Sequence, residues 1–220
     1  MTHPDLVLLL LADARLPVAG HTQSATLEGA LRHGLAEDQV PGYVRTRLRG
    51  VTRVEAGTAV AARHAVLAGG PGLVDVERAW AARTVSPALR TASRDQGQAL
   101  LRLAGRLWPD ALLPLAHVER PARATVLGCI AAHLGLGAAA LAHLVAYDDV
   151  QTVCAAALKL VPLDPVTVAG WVADALTDVA VVALEVAEVQ DPADIPAVTA
   201  PQIEEWAEAH ARTTRRLFRA

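Results

Sequence analysis

Lysine is nearly missing from this chain. Of its 20 basic residues, 19 are arginine, and Lys159 is the sole lysine. Aromatics are also scarce, with four Trp, two Tyr and one Phe in 220 residues. Aromatic and β-branched side chains favour strands, whereas alanine, which supplies 46 residues here, is the best helix former. That balance excludes an all-β fold and predicts an all-α one. Cysteine is limited to Cys129 and Cys154, too few for a disulfide framework, so a reduced, cytoplasmic protein is expected. Basic charge is not in excess either: the net charge is -3, which leaves nothing to hold a phosphate backbone, and nucleic acid is not expected as a partner.

Catalytic signatures are missing as well. No Gly-x-x-x-x-Gly-Lys-Ser/Thr loop exists, because the one lysine follows Ala157-Leu158, so nucleotide phosphates have no P-loop cradle. No Gly-x-Ser-x-Gly elbow offers a serine nucleophile. Asp148-Asp149 could open an aspartate-rich Mg²⁺ motif, but the next required Asp is absent, since position 152 is Thr. The eight histidines do not cluster. His143 and Tyr147 share a helix face, but one imidazole and a nearby carboxylate do not close a metal site. No catalytic residue and no metal ligand set is assigned. No signal peptide is visible, since Asp5 and Asp13 flank the apolar run between them. Thr125–Tyr147 is uncharged and reaches the span length of ~20 residues, but it is interrupted at Gly135–Gly137 and reads as two core helices, with no membrane partner.

What is present is a succession of helices and breakers. The pattern predicts helices over Asp5–Arg15, Ala25–His33 with Gly34 past its end, Asp38–Leu67 with Asp38 as N-cap, and Asp75–Arg83. Ser86-Pro87 caps a helix running to Trp108, and Pro121 opens the next. Ala138–Val161 ends at Pro162, Asp164-Pro165 starts a helix to Val189, and the last spans Pro201–Thr214. The expected architecture is a single-domain bundle of roughly nine or ten helices covering residues 1–220. Trp80, Trp108, Trp171 and Trp206 fall on different helices, as core anchors or as interface anchors.

Two segments stand out. Residues 16–28 read Leu-Pro-Val-Ala-Gly-His-Thr-Gln-Ser-Ala-Thr-Leu-Glu. The tail, residues 212–220, holds Arg212, Arg215, Arg216 and Arg219 together with Leu217 and the only Phe, Phe218. Arginines also suit a helix C-terminus, but Phe beside Arg makes a docking anchor for an acidic partner.

These segments, with Arg90–Leu103 and Ala155–Leu163 (Ala-Ala-Ala-Leu-Lys-Leu-Val-Pro-Leu), occur in the order of the urease accessory protein UreF family, which the chain resembles over nearly its full length. Family members often carry Gly-Gly-Phe where this chain has Ala19-Gly20-His21. The resemblance implies a dimeric, all-α, non-enzymatic chaperone component. Such proteins bind the UreD/UreH scaffold, recruit the GTPase UreG, and serve nickel insertion into apo-urease. No cofactor would be bound tightly, and nickel would pass transiently. By resemblance, Arg212, Arg215, Arg216, Leu217, Phe218 and Arg219 form a scaffold-binding tail, and Lys159 controls the GTPase partner. His21, Gln23, Ser24 and Gln96 are candidates for a polar conduit. The alternative reading is a TetR-type ligand-responsive regulator, which would need a basic helix-turn-helix where residues 1–40 carry only Arg15 and Arg32.

Overall fold

The computed structural model describes residues 3–18, 22–69, 72–214 and 217–218. Among them there are ten α-helices and no strand. They are α1 (Pro4–Leu11), α2 (Leu27–Arg32), α3 (Val40–Arg47), α4 (Arg53–Leu67), α5 (Leu73–Arg83), α6 (Pro87–Leu107), α7 (Arg123–Leu134), α8 (Ala138–Leu160), α9 (Pro165–Val186) and α10 (Pro201–Ala211). The all-α bundle expected from the composition is the fold.

Local chemistry sets several of the boundaries. The Ser86 hydroxyl accepts from the Leu89 amide at 3.2 Å and starts α6, while Asp164 accepts from the Thr167 amide at 3.0 Å and starts α9. Gly34 and Gly135 end α2 and α7 at φ +97° and +74°, where a side chain would be strained. Several ends lie a turn short of expectation: α1 stops at Leu11, α9 at Val186 and α10 at Ala211. Pro121 stands two residues before α7 rather than at its start.

Residues 38–67 depart more clearly. Asp38 is not an N-cap. It lies inside a short 3₁₀ turn, Glu37–Gln39, where the Gln39 side chain reaches back to accept from the Ala36 amide at 2.9 Å. This is half of a capping box, with Gln as the closing residue. The expected single helix is also divided. A π-helical turn, Leu48–Thr52, separates α3 from α4 and fits one extra residue into the helix.

The centre of the bundle is α7 against α4, flanked by α8 and α6, with α9 laid along α8. Nearly every residue of α7 from Ala124 to Ala131 is buried, so its sequence is apolar on all sides. With few aromatics available, the space is filled by bringing backbones close. A Cβ on Gly128 would sit 2.6 Å from the Ala59 carbonyl oxygen and 2.8 Å from the Arg63 amide nitrogen. Trp80 is the one fully buried tryptophan; Trp108, Trp171 and Trp206 are half-buried against the core.

Among the described residues, the helix with the length and hydropathy of a membrane span is α9, not the 125–147 stretch, which forms α7 and the start of α8 within the core. The inner side of α9 is built into the bundle through Val168, Ala175, Val179, Val182 and Val186. Its outer side is uncovered and mixed, with Val166 at 77% and Leu184 at 76% exposure beside exposed Thr167, Asp174 and Glu185.

The close approach at Gly128 has a measurable consequence. Gly128→Ala is expected to destabilise the fold by about 1–3 kcal/mol through overpacking. Gly105→Ala on α6, where a new Cβ would meet only Leu112 at 3.8 Å, is expected to stabilise it. The gain there is about 0.5–1 kcal/mol from helix propensity. Urea unfolding of both variants separates the two signs.

Candidate functional site

The site begins at α2. The connection after α1 passes through left-handed backbone at Ala25 (φ 48°) and Thr26 (φ 67°) before the helix starts at Leu27. Ser24, fully buried, accepts from the Glu28 amide at 3.3 Å. Tyr43 of α3 donates its hydroxyl to the Ala25 carbonyl at 2.5 Å and pins this bend. Burial pushes the Tyr43 phenol up to about 12, so it stays a donor.

The bend delivers the Glu28 carboxylate, 3% exposed, to the C-terminal tail. It accepts the Leu217 amide at 2.9 and 3.1 Å and the Phe218 amide at 2.8 Å. Arg32 also donates to it at 2.9 Å, and His210 stands 3.7 Å away. Burial would raise the Glu28 carboxyl, but the two tail amides, His210 and Arg32 outweigh it and hold it below its ordinary value. Phe218 is 4% exposed, the Lys159 ammonium lies 5.4 Å from its ring centre, and its carbonyl meets His210 Nε2 at 3.3 Å.

Phe218 closes one side of a cavity of about 200 Å³. Leu16, Val18 and Gln23 of the first loop line it, with Gln96 and Leu100 of α6 and Ala155, Ala156 and Lys159 of α8. All four segments singled out in the sequence therefore meet here, although they lie up to about 200 residues apart in the chain. Beyond lies an inner chamber of about 80 Å³. The two share Gln23, Gln96, Arg123, Asp148 and Thr152 as walls.

The inner chamber is polar. Arg47 grips Asp149 with two bonds, 2.9 and 2.6 Å, and Thr52 adds a third at 2.7 Å. Arg123 pairs with Asp148 at 2.8 Å. Glu55 accepts from the Trp80 indole at 2.7 Å and from Ser93 at 3.3 Å. Burial raises all three carboxyls in principle, but Arg47 and Thr52 bring Asp149 below its ordinary value. Asp148 stays raised by burial, with the charge of Asp149 adding to it. Glu55 is raised mainly by burial. The chamber is polar and roomy enough to hold several waters. Among the described residues, no three His, Cys, Asp or Glu side chains converge on a metal position. Burial pushes the Cys129 and Cys154 thiols up to about 12 and about 11, leaving both unreactive.

Of the residues expected from the sequence, Gln23 and Gln96 line both cavities, and Ser24 supports Glu28. Lys159 is exposed at the end of α8 with its ammonium over Phe218. Arg212 is exposed just past α10, and Leu217 is 65% exposed. Phe218, expected in the scaffold-binding tail, is buried against its own chain. His21, Arg215, Arg216 and Arg219 lie outside the described residues. Sequence reading missed Glu28, Arg47, Glu55 and Arg123, and passed over Asp148 and Asp149 once the Mg²⁺ motif failed. Apart from the i,i+4 pair of Glu28 with Arg32, the partners that place them are 25 to 190 positions away, beyond any local pattern.

Residues 35–176 match the sequence model of UreF. The chain belongs to the UreF family. It is 36% identical over 220 residues to the urease accessory protein UreF of Mycobacterium sp. (strain JLS), covering 96% of each chain. It is 33% identical to that of Mycobacterium marinum (strain ATCC BAA-535 / M), covering 96% of this chain and 97% of the relative. With the UreF of Mycobacterium tuberculosis (strain ATCC 25618 / H37Rv) it shares 36% identity over 168 residues, covering 74% and 75%. UreF membership leaves the TetR-type alternative without support.

The chamber's charges yield two predictions. Arg47→Met strands the buried Asp149 carboxylate and is expected to cost about 3–5 kcal/mol at neutral pH. Asp149 has a lowered folded value, so its favourable contribution holds above the ordinary 3.8 and fades as pH falls below it. The cost of Arg47→Met therefore shrinks in acid, as urea unfolding at several pH values will report. Glu55 has the opposite sign. Its folded value is raised above 4.5, so wild type loses stability as pH climbs through the raised value. Glu55→Gln avoids that loss, and its stability relative to wild type is expected to rise as pH climbs above 4.5, which urea unfolding at several pH values will report.

Proposed function

We propose that this chain serves urease maturation as a non-enzymatic accessory component, coupling a GTPase partner to nickel delivery into apo-urease. The observation that carries the reading is the near-full-length similarity to mycobacterial proteins named urease accessory protein UreF. The meeting of all four resemblance segments around one cavity supports it. In this reading GTP hydrolysis belongs to UreG, which accords with a sequence that offers no P-loop. The chain contributes surfaces and a path.

The UreD/UreH scaffold binds at the basic tail, where Arg212, Arg215, Arg216 and Arg219 present positive charge to an acidic face. UreG is sensed near Lys159, the one exposed ammonium beside the tail seat. Nickel is cargo. Its path runs through the outer cavity and the inner chamber, past the amide oxygens of Gln23 and Gln96 and the carboxylate of Asp148. Two amide oxygens and a single carboxylate already paired with Arg123 hold a divalent nickel ion weakly, so a passing ion is not trapped. A homodimer is supported by the uncovered Val166, Leu176, Val181 and Leu184 of α9, which a second copy would bury.

The test is a strain lacking this chain, with the urease operon otherwise intact. Urease nickel content and activity are expected to collapse, and to return with the wild-type chain. Full nickel loading without the chain would sink the maturation reading. In parallel, light scattering on the purified chain with its UreD/UreH partner is expected to give a complex built on twice the 23.0 kDa protomer mass. A truncation after Thr214 is expected to lose that complex, and a complex that survives it would remove the tail from the scaffold interface.

A further inference from the structure

Among the described residues, three carboxylates but only two guanidinium groups line the inner chamber: Asp148, Asp149 and Glu55 against Arg47 and Arg123. Arg47 is committed. It holds Asp149 with two bonds, and Thr52 adds a third. Arg123 is therefore left for two carboxylates. It holds Asp148 through one bond, at 2.8 Å. Glu55 is held by neutral donors, the Trp80 indole and the Ser93 hydroxyl. This second seat is close. Ser93 donates to Glu55 and accepts the Arg123 amide at 3.2 Å, so Glu55 stands two hydrogen bonds from the Arg123 backbone. The Arg123 charge already acts on Glu55, drawing its carboxyl down against the burial that raises it. The backbone beneath Arg123 is fixed by the bond to Ser93 and by the neighbouring Ala122 amide, which donates to Glu77 at 2.8 Å. A pinned base thus carries an arm with two anions in reach, and Arg123 and Asp148 stand in the wall that both cavities share.

We propose that Arg123 is a two-position latch: on Asp148 it closes the wall between the cavities, and on Glu55 it releases the Asp148 carboxylate to a divalent cation. The identity of the cation rests on the cargo reading above. A cation that took Asp148 with no second seat present would leave a buried guanidinium without an anion, which is costly. Glu55 offsets that cost by receiving Arg123. Gln23 and Gln96, in the same shared wall, supply neutral oxygens around the ion. When the ion moves on, Arg123 returns to Asp148 and the wall closes. The clamped pair of Arg47 and Asp149 holds the frame in both positions.

The test titrates nickel chloride into the purified full-length chain and follows paramagnetic broadening of the Asp148 and Thr152 amide signals by NMR. Wild type is expected to show the broadening. Glu55→Gln removes the second seat, so the open position becomes rarer and apparent affinity falls in proportion, with about tenfold more nickel expected at the midpoint. A Glu55→Gln midpoint equal to that of wild type overturns the latch, as does a wild type without broadening. A crystal structure of Asp148→Asn is expected to show the Arg123 guanidinium hydrogen-bonded to Glu55, a move that a merely structural ion pair would not produce. Arg123 remaining beside position 148 overturns the proposal. If Asp148→Asn fails to fold, the Glu55→Gln titration decides alone. The assay contains no urease, so a failed latch leaves the maturation reading standing, and a urease that loads nickel without this chain leaves the latch intact.

Discussion

The Arg47–Asp149 pair ties the two halves of this molecule together. It joins α3 to α8 across 102 positions, and Thr52 closes it from the π-helical turn. A buried carboxylate and guanidinium are costly to desolvate, and only close, fully hydrogen-bonded geometry offsets that cost. Here the geometry fixes the inner chamber: Asp149 sits next to Asp148, which holds Arg123, whose amide donates to Ser93, which in turn meets Glu55. The polar cavity is thus walled by a chain of dependent contacts, each anchored on a different helix.

The seat of the tail has the same logic on a smaller scale. Glu28 is buried on a six-residue helix too short to be stable alone, and that helix is held by α8 and α10 around it. The carboxylate then returns the favour by holding the Leu217 and Phe218 amides. Local structure and distant packing depend on each other at this point, so the loop after α1 has to follow its unusual backbone through Ala25 and Thr26.

The fold was largely legible because its punctuation is chemical. Ser86-Pro87, Asp164-Pro165, Gly34 and Gly135 each act through a cap or a left-handed backbone that local sequence specifies. Residues 48–52 were opaque, because one π turn shifts the apolar spacing by a single residue, too little to interrupt a helical pattern read along the sequence. Asp38 misled because Asp is a common cap, and the neighbouring Gln39 does the work through the Ala36 amide. The candidate site was half legible. Gln23, Gln96, Lys159 and Phe218 stand in segments that look unusual in the sequence. Glu28, Arg47, Glu55 and Arg123 look like ordinary surface charges until the fold pairs them.

The π-helical turn has a consequence for alignment in space. Each residue of an α-helix advances about 100° around the axis. The turn at Leu48–Thr52 spends one residue more than a regular helix would, so everything from Arg53 onward is re-phased relative to α3. That phase is what lets Arg47, before the turn, and Glu55, after it, face the same chamber. One surplus residue acts as a gear tooth: it sets which sides of two nearly continuous helices look inward, and a chamber lined from both follows from it.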